Sequence, residues 1–192
     1  MIETERLILR QWKESDSEPF IKMGLDEDVM RFFPKLLSAT ESISLIQRIS
    51  ALIDENGWGF WAVELKETQE FIGFIGLHNQ PEQFDFSPCI EIGWRIATEH
   101  WKKGYATEGA KAALDYAFNI LNKDKVVSFT ATVNKPSQAV MERLGMRKVK
   151  YFNHPKLPDE HALQKHVLYE IYHPKLEWLC CTNLSLKAYS TI

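Results

Sequence analysis

The spacing of apolar and polar residues changes along the chain, and each regular period predicts an element. Residues 4–10 alternate between apolar and polar types, which predicts a strand. Helical spacing follows over 16–25 and again over 40–55, where Thr40 is the expected N-cap and Gly57 the expected stop. The apolar stripe predicted for the second helix consists of Ile43, Ile46, Ile49 and Ile53.

The middle of the chain is dominated by strand patterns. Aromatic and β-branched residues over 59–65 and 71–77 flank the polar turn 67–69, which together predict a hairpin. Residues 79–88 contain two prolines and are predicted to form a loop. The segment 90–96 (IEIGWRI) predicts a further strand.

Helix and strand patterns alternate in the second half. An amphipathic helix is predicted over 107–121, a strand over 126–133 and a short helix over 136–143. Two closing strands are predicted over 149–152 and 166–172. The order of elements indicates an α/β (α+β) fold, in which helices cover both faces of a mixed, mostly antiparallel sheet.

Length and composition indicate one globular domain. The chain has 192 residues, of which 45% are apolar and 26% charged. We expect a domain over 1–173 and a C-terminal extension over 174–192. A net charge of -3 argues against nucleic-acid binding as the main task, and no apolar stretch predicts a membrane span.

Cysteine and histidine usage indicates a reduced, metal-free protein. The three cysteines are Cys89, Cys180 and Cys181, an odd number that does not form a disulfide framework. His161 and His166 are five residues apart, so they do not share a helix face as a metal pair would. With no signal peptide at the N-terminus, we expect a cytoplasmic location.

Residues 90–109 give the strongest chemical signal. They combine an apolar strand, the basic turn Lys102-Lys103-Gly104 and the start of a helix. The first turn of a helix has unpaired backbone N–H groups and the positive end of the helix dipole, so it favours anions. Gly104 permits close backbone approach to a phosphate or a positive φ. Taken alone, however, such a turn is better explained as a strand–helix connection with solvated lysines.

Four short motifs stand in order around this turn. They are Glu91 to Trp94 (EIGW), Trp101 to Glu108 (WKKGYATE), Asn134 to Ser137 (NKPS) and Leu144 to Met146 (LGM). Together with the opening ETERLILR, they resemble the GNAT superfamily of N-acetyltransferases, and specifically its RimJ/RimL-type branch, which acetylates the N-termini of ribosomal proteins. The resemblance spans about residues 2–172. It implies a central sheet whose fourth and fifth strands splay apart, with acetyl-CoA as cosubstrate and no metal.

The resemblance also implies which residues bind acetyl-CoA. The acetyl and pantetheine groups are expected along the backbones of Trp94, Arg95, Ile96 and Ala97. The pyrophosphate is expected at Lys102, Lys103, Gly104, Tyr105, Ala106 and Thr107. Asn134 is expected to hydrogen-bond the pantetheine arm and Arg143 to reach the nucleotide.

The chemistry implied is direct transfer of the acetyl group to an amine. Glu91 is the candidate general base, and Ser137 the candidate donor to the leaving thiolate. Each also has a structural explanation, as a solvent-facing strand carboxylate and as a helix-capping hydroxyl. The tyrosine that serves as general acid in many members has no counterpart in residues 134–146, where the aligned position is Met141.

The acceptor is not specified by the sequence. Phe32, Phe33 and Trp61 are candidates for lining its pocket, with core packing as the alternative. A protein N-terminus and a small-molecule amine are both open, as are a monomer and a homodimer. The alternative function is a non-catalytic acyl-CoA-binding sensor, which the missing tyrosine favours.

Overall fold

The strand patterns form one eight-stranded sheet in the computed structural model, which describes residues 1–81 and 84–175. The strands are β1 (Ile2–Glu3), β2 (Leu7–Arg10), β3 (Phe60–Leu65), β4 (Phe71–Gln80), β5 (Cys89–Ile96), β6 (Lys125–Ala131), β7 (Arg147–Asn153) and β8 (Lys165–Tyr172). Their order across the sheet is β1-β2-β3-β4-β5-β6-β8-β7. Neighbours are antiparallel except β5 and β6, which are parallel, so the predicted mixed, mostly antiparallel sheet is confirmed.

Five α-helices connect these strands within the described part of the chain. They are α1 (Ser17–Leu25), α2 (Glu27–Met30), α3 (Ala39–Asn56), α4 (Tyr105–Asn119) and α5 (Lys135–Arg143). The short helix α2 was not predicted from the sequence. Its N-cap is Asp26, whose carboxylate accepts hydrogen bonds from two backbone N–H groups of the first turn.

The start of α3 differs from the prediction. The N-cap is Ser38 and not Thr40, because Ser38 and Glu41 form a reciprocal capping box. Ile43 is 40% exposed, so its predicted place in the apolar stripe was wrong. Gly57 ends the helix in the left-handed conformation at φ 79°, as predicted.

Two strand boundaries also differ. Only the second half of the strand predicted over 4–10 is a strand, β2; residues 4–6 form the turn that connects it to β1, with which it pairs as a hairpin. Strand β4 continues to Gln80, into the predicted loop, because β5 pairs with it along its whole second half up to Cys89.

Helices lie on both faces of the sheet. On β4, Ile75 contacts α4 so closely that a Cβ on Gly109 would meet the Ile75 Cδ1 at 2.5 Å. The next residue back, Phe74, points the other way and meets Phe20 of α1 at 6.1 Å between ring centroids. Since neighbouring strand residues face opposite sides, α4 covers one face, while α1 covers the other.

Strands β5 and β6 run parallel to each other and separate soon after they pair. Their pairing in the described structure is a single bridge between Glu91 and Val127. One residue further, the Ser128 hydroxyl donates to the Ile92 carbonyl at 2.9 Å. Beyond that point the edge of β5 opens into a cleft, as expected for splayed strands.

Two sequence predictions fall mainly outside the described residues. The predicted extension 174–192 leaves the described part of the chain after residue 175, and Cys180 and Cys181 lie beyond it. The boundary of the domain at residue 173 therefore stays a prediction. Among the helices that are described, none has both the length and the apolar character needed to cross a membrane.

Candidate active site

A cleft of about 1970 Å³ lies where β5 and β6 separate. Its walls come from β4 and β5, α3, the first turn of α4, the segment after α2, and the starts of α5 and of the β7–β8 connection. These elements are held at fixed positions because they belong to the sheet or pack directly on it. The cleft therefore brings together segments that are far apart in sequence.

The first turn of α4 lies at one end of this cleft and has unpaired backbone N–H groups of the kind that favour an anion. Gly104 is the N-cap with φ 84°, so the positive φ that a glycine permits is used here. No side chain caps the helix, and the first intrahelical bond runs from the Glu108 N–H to the Gly104 carbonyl at 3.0 Å. The amides of Tyr105, Ala106 and Thr107 therefore remain available to a ligand, and all three residues line the cleft.

Glu108 fixes this turn to the N-terminal hairpin. Its carboxylate accepts hydrogen bonds from the Thr4 hydroxyl at 2.6 Å and from the Arg6 backbone N–H at 2.9 Å, and it pairs with the Arg6 guanidinium at 2.6 Å. Arg6 in turn donates to the Lys103 carbonyl at 3.0 Å. Burial opposes ionisation, but these hydrogen bonds prevail and lower the pKa of Glu108. The residue is thus a tether, and the loop is preorganised before any ligand arrives.

The edge of β5 that faces the gap carries backbone groups suited to an added strand. The Ala97 N–H donates to the Ile72 carbonyl of β4 at 2.9 Å, so alternate residues point to β4 and the others to the gap. Trp94 and Ile96 belong to the second set. The Ile96 carbonyl is already used by the Trp101 indole N–H at 2.7 Å, which leaves the Trp94 backbone facing the cleft.

The start of α5 forms the opposite side of the gap. Asn134 is the N-cap: its side-chain oxygen accepts from the Ser137 N–H at 3.2 Å, and its side-chain nitrogen donates to Thr130 at 2.9 Å. The capping role considered for the Ser137 hydroxyl is therefore performed by Asn134. Asn134, Ser137 and Arg143 all line the cleft.

Glu91 lies on the cleft-facing side of β5, at the bridge where the two strands part. Burial raises the pKa of this carboxyl to about 7, and one hydrogen bond from the Gln80 amide at 2.6 Å opposes the rise. Its cross-strand neighbour is His78, whose pKa is lowered by burial and by the charges of Arg48 and Lys156. A carboxylate with a pKa near neutrality is suited to accept and release protons at physiological pH.

Arg95 shares this face of β5, because residues 91, 93 and 95 alternate to the same side. The residue was predicted from the sequence only as a backbone contributor. Its side chain is buried among aromatic rings, with the guanidinium carbon 4.1 Å from the centroid of Phe33 and 5.4 Å from that of Phe74. Its Nε and Nη1 atoms are buried without hydrogen-bond partners, and burial lowers the pKa of Arg95 to about 10.

Of the three aromatic residues predicted to line the acceptor pocket, two line the cleft and one does not. Phe32 and Phe33 line the cleft. Trp61 does not: it is 2% exposed and packs edge-on against Tyr116 of α4, on the other face of the sheet. The prediction for Trp61 was wrong because β3 is buried on both faces, so its pattern does not tell which side a residue takes.

Two histidines on the far wall were not singled out from the sequence. His154 and His166 line the cleft with ring centroids 4.8 Å apart, next to Phe129. Burial, the neighbouring His166 and Lys156 lower the pKa of His154 to about 4, and burial lowers that of His166. Both imidazoles are thus neutral at physiological pH. Within the described residues, no group of three or more His, Cys, Asp or Glu is arranged to hold a metal.

The residues present fit acetyl-CoA. The α4 amides offer donors to an anion, and the open edge of β5 offers a backbone partner to an extended, amide-containing arm. The cleft connects the first turn of α4 with the open edge of β5. The space beside Gly104 is open, since a Cβ there would meet only the end of the Arg6 side chain, at 3.4 Å.

Comparison with known proteins agrees with this geometry. Residues 6–147 match the family model described as an acetyltransferase (GNAT) domain. An uncharacterised N-acetyltransferase of Bacillus subtilis, YoaA, is 31% identical over 150 residues, which cover 77% of this chain and 83% of the relative. An FsC-acetyl coenzyme A-N(2)-transacetylase of Aspergillus fumigatus is 29% identical over 187 residues, covering 93% of this chain and 77% of the relative.

Solved structures share the fold. A GNAT-family acetyltransferase from Bacillus anthracis superposes with a TM-score of 0.75 at 26% identity, covering 89% of this chain and 97% of the other. Spermidine N-acetyltransferase from Vibrio cholerae, solved with CoA and spermine, gives a TM-score of 0.67 at 24% identity, covering 86% and 95%. RimJ of Mycobacterium smegmatis gives 0.70 at 20% identity, covering 88% and 83%.

Proposed function

The chain belongs to the GNAT acetyltransferase family and is an acetyl-CoA-dependent N-acetyltransferase; on that premise we propose that it acetylates a primary amine by direct transfer, with Glu91 as the general base. The observation that carries the proposal is the position of Glu91. This carboxylate has a pKa of about 7 and lies in the cleft where β5 and β6 part.

We assign the binding of the cosubstrate to several groups of the chain. The amides of residues 104–107 bind the pyrophosphate, helped by the positive end of the α4 dipole. The backbone of Trp94 pairs with the pantetheine arm across the gap. Acetyl-CoA supplies the acetyl thioester, which is the only activated group that the reaction needs.

Glu91 moves the proton that has to leave the acceptor. A protonated amine is not a nucleophile, and the Glu91 carboxylate accepts its proton directly or through one water. As the new N–C bond forms and the C–S bond breaks, a β5 backbone N–H donates to the acetyl oxygen. The departing sulfur is a weak base with a pKa of about 8.5, so a hydrogen bond from Ser137 is sufficient help.

We also propose the RimJ/RimL-type branch, on the strength of the four motifs around the α4 turn. Solved members that act on different acceptors, spermidine in one case and ribosomal protein S5 in another, share this fold at under 25% identity. At that distance, the likeness supports the architecture, and the acceptor has to be argued from this chain's own cleft. The cytoplasmic location and the monomeric or dimeric state stay predictions.

A thiol-release assay tests the proposal. The protein is incubated with acetyl-CoA and a panel of N-terminal peptides, polyamines and ω-amino acids, and free CoA is titrated with a thiol reagent. We expect release that depends on one class of amine, with mass spectrometry detecting its N-acetyl product. Binding of acetyl-CoA without release for any amine would instead favour the sensor, which the absence of a tyrosine from residues 134–146 suggests.

A further inference from the structure

Arg95 is a buried cation with no anion beside it in the described part of the chain. It is 8% exposed, and among residues 1–81 and 84–175 no hydrogen bond or ion pair engages its guanidinium. Arginine stays charged at physiological pH in any protein environment. Leaving such a charge buried and unpaired is unfavourable, because its hydration is lost and not replaced.

The rings around Arg95 compensate only in part. Phe33 and Phe74 present their faces to the guanidinium, and Phe20 lies at 5.8 Å from its carbon. Contacts of this kind stabilise a cation only modestly. They offer no hydrogen-bond acceptor to the N–H donors of the guanidinium, and Nε and Nη1 are buried without a partner. The donors therefore remain unused.

The position of Arg95 connects it to the acceptor. It lines the same cleft as Glu91 and lies four residues further along the same face of β5, about 13 Å away at the rise of an extended strand. Gly93 stands between them, and the Phe60 ring lies over it, 3.2 Å from where a Cβ would stand. A molecule whose amine is at Glu91 would pass this ring on its way to Arg95, along the wall of the cleft that all of them line.

We propose that Arg95 binds a carboxylate of the acceptor, so that the substrate class is an amine that also carries a carboxylate several bonds away. This inference rests on the proposed acetyltransferase function. The guanidinium has no acceptor for its donors in the described part of the chain, and a carboxylate is the group that pairs with arginine in planar, bidentate geometry. Polyamines are disfavoured, because their second cation would face Arg95.

Matched pairs of amines test the proposal. ε-Aminocaproate is compared with pentylamine, which lacks the carboxylate, and with cadaverine, which replaces it by a cation. β-Alanine with ethylamine and γ-aminobutyrate with propylamine vary the length. A peptide starting Ala-Asp and its Ala-Asn counterpart distinguish a protein N-terminus from a small molecule as the source of the carboxylate.

We expect kcat/KM to favour the carboxylate member of at least one pair by on the order of tenfold to a hundredfold, the usual value of a hydrogen bond to a charged group. Arg95→Met should abolish this preference and leave the KM for acetyl-CoA unchanged. Arg95→Lys keeps the positive charge but lacks the planar guanidinium that binds a carboxylate with two hydrogen bonds, so it should retain part of the carboxylate preference. Arg147→Met, on the exposed face of β7, is the matched control and should keep the whole preference.

Two results would overturn the inference. One is a wild-type enzyme that acetylates amines without preferring any carboxylate. The other is an Arg95→Met variant that loses acetyl-CoA affinity and keeps the preference, which would assign Arg95 to the cosubstrate.

A binding measurement separates this inference from the proposed function. If no amine on the panel is acetylated, calorimetry compares ε-acetamidocaproate with N-pentylacetamide on the CoA-loaded protein. Carboxylate-selective binding that disappears in Arg95→Met supports the inference without turnover. Equal binding of the two compounds refutes it.

Discussion

Arg10 on β2 and Arg95 on β5 are equally buried, each 8% exposed, and their surroundings are opposite. Arg10 donates to both oxygens of Asp16, at 2.7 and 2.8 Å, and to Glu64 at 2.7 Å. Arg95 meets aromatic rings and, within the described ranges, no anion. A charge that the chain itself pairs supports the fold, and one that it leaves unpaired points to a ligand.

The carboxylates of the two regions differ in the same way. Glu64 is 6% exposed, and although burial pushes its pKa up, hydrogen bonds from Lys13 and Arg10 prevail and lower it. Glu91 has one amide partner, and burial raises its pKa to about 7. The β2–β3 region therefore keeps its charges fixed across the physiological range, whereas the β5 face holds a carboxyl that titrates within it.

The largest effect should come from Glu91→Gln. Removing the base should lower kcat by about 10²–10⁴-fold, while the affinity for acetyl-CoA changes little. Wild-type kcat should rise with pH through about 7 and then level, as Glu91 ionises. The variant should recover part of its rate only at higher pH, where the amine is already neutral. Steady-state kinetics between pH 5.5 and 10 measure both curves.

Stability provides the control for this variant. The pKa of Glu91 in the fold, about 7, exceeds its ordinary 4.5, so the folded chain binds the proton more tightly than the unfolded one. Its contribution to stability is therefore present at low pH and lost as pH rises through 7. Glu91→Gln should be at least as stable as wild type at pH 8, and Glu64→Gln should be less stable. If Glu91→Gln were less stable than wild type at pH 8 and Glu64→Gln were not, the contrast between the two carboxylates would be wrong.

Arg10→Met should cost about 3–5 kcal/mol of unfolding free energy, because it leaves Asp16 and Glu64 buried without their cation. The same substitution at Arg95 removes a charge that has no anionic partner among the described residues, so stability should be unchanged or increased. Urea denaturation of both variants at pH 7 measures the difference. Equal losses would show that the ring contacts of Arg95 are structural.

Gly104→Val should weaken acetyl-CoA binding by on the order of tenfold to a hundredfold, because valine strongly disfavours the φ of 84° that this helix start requires. Gly57→Val is the matched control: its φ is 79° and nothing lies within 4 Å of the added Cβ. It introduces similar backbone strain away from the cleft. We expect it to lower stability and leave affinity unchanged in calorimetric titrations.

The glycine turn at the start of α4 could be predicted from sequence because all of its parts are contiguous. Strand, glycine and helix follow one another within 90–109, and the donors are backbone amides that any sequence supplies. The same local logic would have found the N-cap of α3, since Ser38 and Glu41 have capping-box spacing. Choosing Thr40 overlooked that signal.

The acceptor side could not be predicted in this way, because side chains from distant segments form it. Phe20, Phe33 and Phe74 come from α1, the segment after α2, and β4, and nothing in their local patterns connects them to Arg95. The raised pKa of Glu91 similarly depends on burial that only the folded sheet provides. The prediction that Trp61 lines the acceptor pocket was wrong for a related reason: its strand is apolar on both faces, so the pattern does not show which side the residue takes.

The smallest effect should come from reversing Lys102 and Lys103, and it separates exposed charges from the buried charge of Arg95. Both lysines are exposed, so solvent and salt screen them over a Debye length of about 10 Å at 0.1 M. The double change to glutamate should weaken acetyl-CoA binding by less than about tenfold at low salt. The loss should shrink as salt increases, because the amides of α4 supply the main contacts.

The effect of Arg95→Met on carboxylate preference should depend far less on salt, since that site is buried. Lys22→Glu with Lys123→Glu gives the same change in net charge elsewhere on the surface and should leave affinity nearly intact. Calorimetry across a salt series measures all three. A complete, salt-independent loss in the Lys102 and Lys103 variant would mean that these side chains, and not the backbone, hold the pyrophosphate.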